Sequence, residues 1–287
     1  MNPVFVTGAS GTVGSDVVIQ LVSRGVSVKA GMRSPGSGAS PAGVANVEFD
    51  FGSPETFAPA LDGVGRVFLM RPPKMSDARE MQPFVEAMCE AGVEHVVFMS
   101  VQGAGTNPFV PHHGIESLLK KSGLSWTFLR PSFFMQNLST THVADIRERD
   151  EIYVPAGGGR TNFIDAADIA EAAAVCLTTP GHEGKAYEIT GSEALTYEQV
   201  ARILSTACGR TISYPRPSAR RFRARMRDAG HRDEFISVMV RIYTVARLGM
   251  AAGTTGDFEK LVGRVPNTVA EWARSNAECF AASAAEG

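Results

Sequence analysis

The sequence predicts a doubly wound α/β fold, a parallel sheet covered by helices on both faces, with a smaller and mainly helical C-terminal lobe. Three observations predict it. Short, β-branched apolar runs alternate with helical stretches between residues 3 and 130. A glycine-rich turn, "TGASGTVG" (7–14), separates the first strand from the first helix. After residue 132 the alternation gives way to longer helical runs. Strands apolar on both faces require helices on both sides, which is the condition of a parallel sheet.

The elements follow in order. "PVFVT" (3–7) is the first strand, and residues 12–24 form a helix with Val13, Val17, Val18, Leu21 and Val22 on one stripe. Further strands are expected at "VSVKA" (26–30), "VEF" (47–49), "RVFLM" (66–70), "HVVFMS" (95–100) and "SWTFLR" (125–130), with helices near 54–61, 77–92 and 112–122. "SPGSGASPAG" (34–43) is a flexible loop by composition. "SFFMQNLST" opens a helix, and "EIYVPAGGGRTNFID" (151–165) reads as two short strands joined by a glycine-rich turn. Asp165 is placed to cap the helix "AADIAEAAAVCL". "KAYEIT" (185–190) is a strand, and the remainder is mostly helical. A nucleotide-binding domain of residues 1–131 plus about 160–190 is expected, with a substrate lobe of about 132–159 plus 191–287.

Bulk properties narrow the function classes. A net charge of −2, with 44% apolar and 20% charged residues, describes an ordinary globular protein and gives no reason to expect a nucleic-acid or membrane partner. The basic run "PRPSARRFRARMRDAGHR" (215–232) reads as a solvated helix face in preference to an anion-binding surface. The four cysteines are far apart and form no Cys-x-x-Cys pair, so neither a metal site nor a disulfide framework is expected. No apolar run approaches the ~20 residues that span a bilayer, and the N-terminus runs straight into a strand without a signal-peptide pattern. A cytoplasmic location is expected, and a monomer or homodimer acting on a small molecule.

Gly8, Gly11 and Gly14 form G-x-x-G-x-x-G between strand and helix, a variant of the Rossmann-type dinucleotide fingerprint. Gly8 permits the tight turn, Gly11 lets the backbone approach a pyrophosphate, and Gly14 allows close helix–strand packing. Ser10, Thr12 and Val13 add hydroxyl and N–H groups at the positive end of the helix. An NAD-specific site places a carboxylate at the end of the second strand. Here "VKAGMRSP" offers Arg33 and no acid, which predicts NADP (NADPH), its 2′-phosphate held by the guanidinium.

The chain resembles the NmrA-like, atypical branch of the short-chain dehydrogenase/reductases, the group of bacterial quinone oxidoreductases, triphenylmethane-dye reductases, azoreductases and redox-sensing regulators. "TGASGTVG", "MRSP", "EFDFGSPETF", "RVFLMRPP", "HVVFMSVQGA", "SGLSWTFLRPSFFMQN", "FIDAADIAEAAA" and "VPNTVAEWA" carry the resemblance, which covers nearly the whole chain. It implies Asp50 and Phe51 at the adenine and Met70, Arg71 and Pro72 along the cofactor. It also implies Ser100 and Val101 near the nicotinamide, with Pro131, Ser132, Phe133 and Phe134 on its other side. Arg71 departs from the small or polar residue expected there; it serves an acidic substrate or phosphate, or pairs with a carboxylate such as Glu80.

The superfamily's usual acid, a Tyr followed four residues later by Lys, is missing. Tyr153, Tyr187, Tyr197, Tyr214 and Tyr243 are followed at that spacing by Gly157, Gly191, Ala201, Ser218 and Arg247. The corresponding stretch, "PHHGIESLLKK" (111–121), holds His112 and Glu116. Spaced i, i+4, they share a helix face, where a carboxylate can orient the imidazole and raise its pKa. His112, Glu116 and Ser100 are therefore the catalytic candidates; a helix cap or interlobe hydrogen bond is the alternative role for His112. Phe133, Phe134, Met135 and Asn137 are candidates for an apolar substrate pocket. An NADPH-dependent reductase of an electron-poor acceptor is the leading expectation. A non-catalytic NADP(H) sensor is the rival, and the missing Tyr/Lys pair argues against an isomerase.

Overall fold

The computed structural model describes residues 2–36 and 41–281, so residues 37–40 of the expected loop lie outside the described residues. The first elements are β1 (Val4–Val6), α1 (Thr12–Ser23), β2 (Val28–Met32), β3 (Val44–Glu48), α2 (Phe57–Leu61), β4 (Arg66–Met70), α3 (Gln82–Glu90), β5 (His95–Met99), α4 (Pro111–Lys121) and β6 (Ser125–Pro131). Next come β7 (Phe133–Phe134), α5 (Gln136–Ser139), α6 (Val143–Arg149), β8 (Arg160–Ile164), α7 (Ala166–Thr178), β9 (Lys185–Ile189) and β10 (Ala194–Thr196). The chain continues with α8 (Tyr197–Cys208), α9 (Ala219–Asp228), α10 (Asp233–Arg247), α11 (Asp257–Val262) and α12 (Val269–Ser275).

The chain divides into two compact units. The first comprises Met1–Pro131, Ala166–Ile189 and Asp257–Arg264; the second comprises Ser132–Asp165, Thr190–Gly256 and Val265–Gly287. Within the first, seven strands pair in the order β3-β2-β1-β4-β5-β6-β9, and every pairing is parallel. The order reverses direction at β1, which is the switch point of a doubly wound sheet, where ligands bind beyond the carboxyl ends of the strands. Phe5, Phe49, Phe57 and Phe84 cluster in the core of this unit with centroids 4.9 to 6.3 Å apart, the Phe5–Phe49 and Phe57–Phe84 pairs edge to face and the other two tilted. Such pairs favour one arrangement of the helices over others. α11 belongs to this unit and not to the lobe where the sequence placed it. Asp257 accepts a hydrogen bond from the Glu188 amide at 3.1 Å, and Arg264 reaches Asp168 and Glu171 at 2.6 Å each.

The second unit is built on a small sheet, β10-β8-β7, covered by helices. Its core is a cluster of buried apolar side chains that includes Ile146, Phe163, Leu204, Phe222 and Trp272, and one buried polar residue ties the small sheet to the loops beside it. Buried Asn162 donates to the carbonyls of Gly191 and Glu193 and accepts from the Gly191 amide at 2.8 Å. Residues 151–154 do not form the strand expected there: a single bridge joins Glu151 to Ser213. The β-branched pattern of "EIYV" reflects burial of Ile152 and Val154 in the core of this unit and not sheet pairing. Three of the seven arginines of the basic run, Arg216, Arg225 and Arg227, form ion pairs within the unit. Arg225 lies 3.2 Å over the Tyr153 ring and bonds to Asp145 and Glu151, and Arg227 pairs with Asp233. All four cysteines are free.

Candidate functional site

The first βα turn is shaped by its glycines. Gly8 adopts φ +62°, a left-handed conformation that glycine takes without strain. A Cβ on Gly14 would lie 2.0 Å from the Gly8 carbonyl oxygen, so only glycine lets α1 start this close to the turn. The Gly11 amide closes the turn onto that same oxygen at 2.9 Å. No side chain caps α1 at Gly11, so its first turn presents backbone N–H groups to an anion. Ser10 and Thr12 are exposed beside it, while Val13 is buried and anchors the helix. Thr7 ties this turn to the end of β4, accepting from the Met70 amide at 2.8 Å and donating to the Phe68 carbonyl.

Arg33 follows β2 directly, exposed and without a partner among the described residues. Asp50 is exposed after β3 and folds back to accept from the Gly52 amide at 2.8 Å. Phe51 is half-buried, its ring 4.7 Å from that of Phe49. Met70, Arg71 and Pro72 are half-buried at the end of β4. The Arg71 guanidinium is occupied by the carbonyls of Pro72, Pro73 and Met75. It acts on the loop that follows β4, and Glu80 instead receives the amides of Ser76 and Asp77.

The arrangement around α4 corrects the expected His–Glu pair. Glu116 is buried, and Arg130 grips it with two hydrogen bonds of 2.9 and 2.7 Å while the Ser100 hydroxyl donates to Oε1 at 2.7 Å. Burial pushes the Glu116 carboxyl up, but the hydrogen bonds from Arg130 and Ser100 outweigh it and the net shift is down. Ser100 is 1% exposed and its hydroxyl hydrogen is directed at Glu116. His112 turns elsewhere: its ring stacks on Phe98 at 6.0 Å, and Nε2 accepts from Arg71 Nε at 3.5 Å. Its pKa falls to about 4, through burial first and the Arg71 charge second, with Glu116 opposing weakly. The expectation of a raised pKa is overturned because desolvation exceeds the attraction of a carboxylate already neutralised by arginine. Arg130 was missed because Glu116, Arg130 and Glu188 come together only through the parallel order of β5, β6 and β9.

Among the remaining predicted residues, Val101 is half-buried after β5 and Pro131 is buried at the end of β6. In the second unit Ser132 donates to Asn162 at 2.7 Å. Phe133 and Phe134 are half-buried and Asn137 is exposed. Met135 is 1% exposed and packs in the apolar core of that unit. Burial raises the pKa of Tyr187, Tyr197, Tyr214 and Tyr243. Among the described residues no cluster of His, Cys, Asp and Glu could hold a metal ion.

A doubly wound sheet with this strand order and this glycine turn defines a dinucleotide-binding protein. A family model described as NAD(P)H-binding matches residues 8–180. The NAD(P)H azoreductase of Xenophilus azovorans is 34% identical over 288 positions, spanning 98% of this chain and 100% of the relative. The NADPH complex of an Escherichia coli quinone oxidoreductase superposes with a TM-score of 0.83 at 26% identity, covering 95% of this chain and 99% of that one. The NADP(H) complex of Citrobacter sp. triphenylmethane reductase gives 0.80 at 25%, covering 96% and 99%. The chain belongs to the NAD(P)H-binding family, and it is an oxidoreductase using that cofactor.

Proposed function

We propose that the chain transfers hydride from NADPH to an electron-poor small molecule of the quinone, azo, iminium or related aromatic class, without a Tyr/Lys acid. The observation that carries this reading is the first βα turn: a left-handed Gly8, a Gly14 with no room for a Cβ, an uncapped helix end, and an arginine one residue beyond β2 with no partner among the described residues. Gly8, Ser10, Gly11, Thr12 and Gly14 hold the pyrophosphate, and Arg33 holds the 2′-phosphate. Asp50 and Phe51 flank the adenine, and Met70, Pro72, Val101 and Pro131 line the rest. NADPH supplies the hydride; the chain supplies position.

The acceptor class follows from what the residues lack. His112, its pKa lowered to about 4, is neutral at neutral pH and offers a hydrogen bond in place of a strong acid. Quinones, azo compounds and iminium ions take hydride with the developing charge delocalised or cancelled, so they need none. The azoreductase, quinone oxidoreductase and triphenylmethane reductase among the relatives support this class. Arg71 directs Nη1 at three carbonyls of the loop after β4, which favours a loop-ordering role over one in binding an acidic substrate. Phe133, Phe134 and Asn137 are the proposed acceptor contacts.

The test pairs cofactor affinity with an acceptor panel. Arg33→Ala is expected to weaken NADPH binding about tenfold or more, the scale of a lost charge-assisted hydrogen bond, and to leave NADH binding unchanged. An unchanged preference removes Arg33 from the site. NADPH oxidation is expected to accelerate with a quinone, an azo dye or an iminium compound. Tight NADPH binding with no turnover across that panel would sink the reductase reading and leave a cofactor sensor.

A further inference from the structure

Arg71 follows β4 directly and serves two neighbours. Its Nη1 is directed at the carbonyls of Pro72 at 3.0 Å, Pro73 at 3.3 Å and Met75. These acceptors anchor the planar guanidinium and so set the direction of Nε. Nε meets Nε2 of His112 at 3.5 Å. Glu80, the carboxylate that acts on Arg71, is turned to the amides of Ser76 and Asp77 at 3.1 and 3.0 Å. Backbone carbonyls, in place of a carboxylate, therefore hold the guanidinium, and its charge faces the imidazole.

An arginine N–H cannot accept a hydrogen bond, so Nε2 turns its lone pair toward Arg71. A proton on Nε2 would set two N–H groups head to head, and a doubly protonated ring would add a second positive charge. Burial is the larger reason that the ring stays neutral, with Arg71 second and Glu116 opposing. Burial does not choose between the two ring nitrogens, however, and Glu116 is taken by Arg130 at 2.7 Å. Phe98 stacks on the ring and offers it no polar atom. The choice of tautomer therefore falls to Arg71, which leaves the proton on Nδ1.

We propose that Arg71 is a positioning residue for hydride transfer: it fixes His112 as an Nδ1–H donor and biases the site toward neutral acceptors and against cationic ones. The proposal rests on the reductase reading above. A quinone or azo group that takes hydride gains a negative charge on oxygen or nitrogen, which a hydrogen bond from Nδ1–H stabilises. The proton stays on His112, and the reduced acceptor takes its own from water. An iminium ion or cationic dye becomes neutral on taking hydride, so that hydrogen bond gives it nothing. The like charge of Arg71 also repels it as it binds.

Nitrogen NMR and a pair of acceptors test it on the full chain. In the NADP-loaded wild type the ring shifts are expected to show His112 protonated on Nδ1 alone at neutral pH. Arg71→Met is expected to give a mixture of tautomers and to move the His112 midpoint upward from about 4. With NADPH, the same variant is expected to lower kcat for menadione, a neutral quinone, about tenfold, the scale of one hydrogen bond. For crystal violet, a cationic dye, it is expected to lower the KM. Arg71→Lys, which keeps the charge without the planar fork, is expected to keep the high KM for the dye. A wild-type ring protonated on Nε2 overturns the proposal, as does a tautomer that ignores Arg71→Met. Equal losses with both acceptors make Arg71 a loop residue only and likewise overturn it. If the tautomer responds as expected but the wild type reduces neither acceptor, the reductase reading fails and the acceptor bias falls with it. If both are reduced and the tautomer does not respond, that reading stands and the role of Arg71 falls alone.

Discussion

His112 stands where the superfamily's tyrosine would, and its surroundings decide what it can do there. Nε2 accepts from Arg71, so in the neutral ring the proton is on Nδ1, which has no partner among the described residues. Phe98 covers one face, Arg71 approaches from the end of β4, and the only nearby carboxylate on its own helix, Glu116, is already paired with Arg130. A neutral imidazole with a free N–H is a hydrogen-bond donor and not a proton acid, the behaviour expected when burial and a cation both disfavour the charged form. The charge state of His112 is therefore expected to stay constant from pH 8 down to about pH 5, checked by the ring nitrogen shifts in NMR. A titration midpoint near the ordinary 6.5 would contradict the geometry. His112→Ala is expected to lower turnover about tenfold, the scale of one hydrogen bond. Full turnover in that variant makes the ring structural only. The i, i+4 spacing was legible in the sequence; the partner of the carboxylate was not, because Arg130 lies on a different strand.

At the level of elements, Glu116 on α4 joins β5, β6 and β9 through Ser100, Arg130 and Glu188. Gly105 is part of the same construction, since a Cβ there would sit 2.6 Å from the Arg130 guanidinium. Such a network is costly to break from one side, because the remaining charge is buried without compensation. Glu116→Ala is expected to destabilise the fold by about 3 kcal/mol, read from urea unfolding, with Glu116→Gln costing less because it keeps an acceptor for Ser100. If Glu116 were a catalytic base, Gln would instead abolish turnover while leaving the unfolding midpoint in place. The strands themselves were readable, because β4, β5 and β6 are apolar on both faces and fall close to their expected bounds. The helix ends were less so. The stretches 54–61 and 77–92 begin as 3-10 turns at Pro54–Thr56 and Ala78–Met81 before α2 and α3 start. Apolar periodicity near 3.6 cannot separate one tight turn of three residues from the first turn of an α-helix.

Across the whole molecule, the pH dependence of stability is set by histidines that no motif announced. His95 ends up buried because β5 lies inside the sheet; Nε2 meets the Thr127 hydroxyl at 2.8 Å while Nδ1 is buried without a partner. His142 is buried in the second unit against the Tyr243 hydroxyl. Burial is the main cause in each case, and each pKa falls from 6.5 to about 4. The unfolded chain therefore binds these protons first as pH drops. The stability that each neutral ring contributes is fully present above pH 6.5, declines as the pH falls through that value, and is exhausted below about pH 4. The acidic shift of Glu116 adds its own loss only lower, where carboxylates begin to protonate. At pH 5 each buried histidine is expected to cost about 2 kcal/mol relative to pH 7. The double variant His95→Gln/His142→Gln, which removes two such titrations and leaves that of His112, is expected to lessen the decline in unfolding free energy over that interval. An equally steep decline in the double variant would place the titrating groups elsewhere.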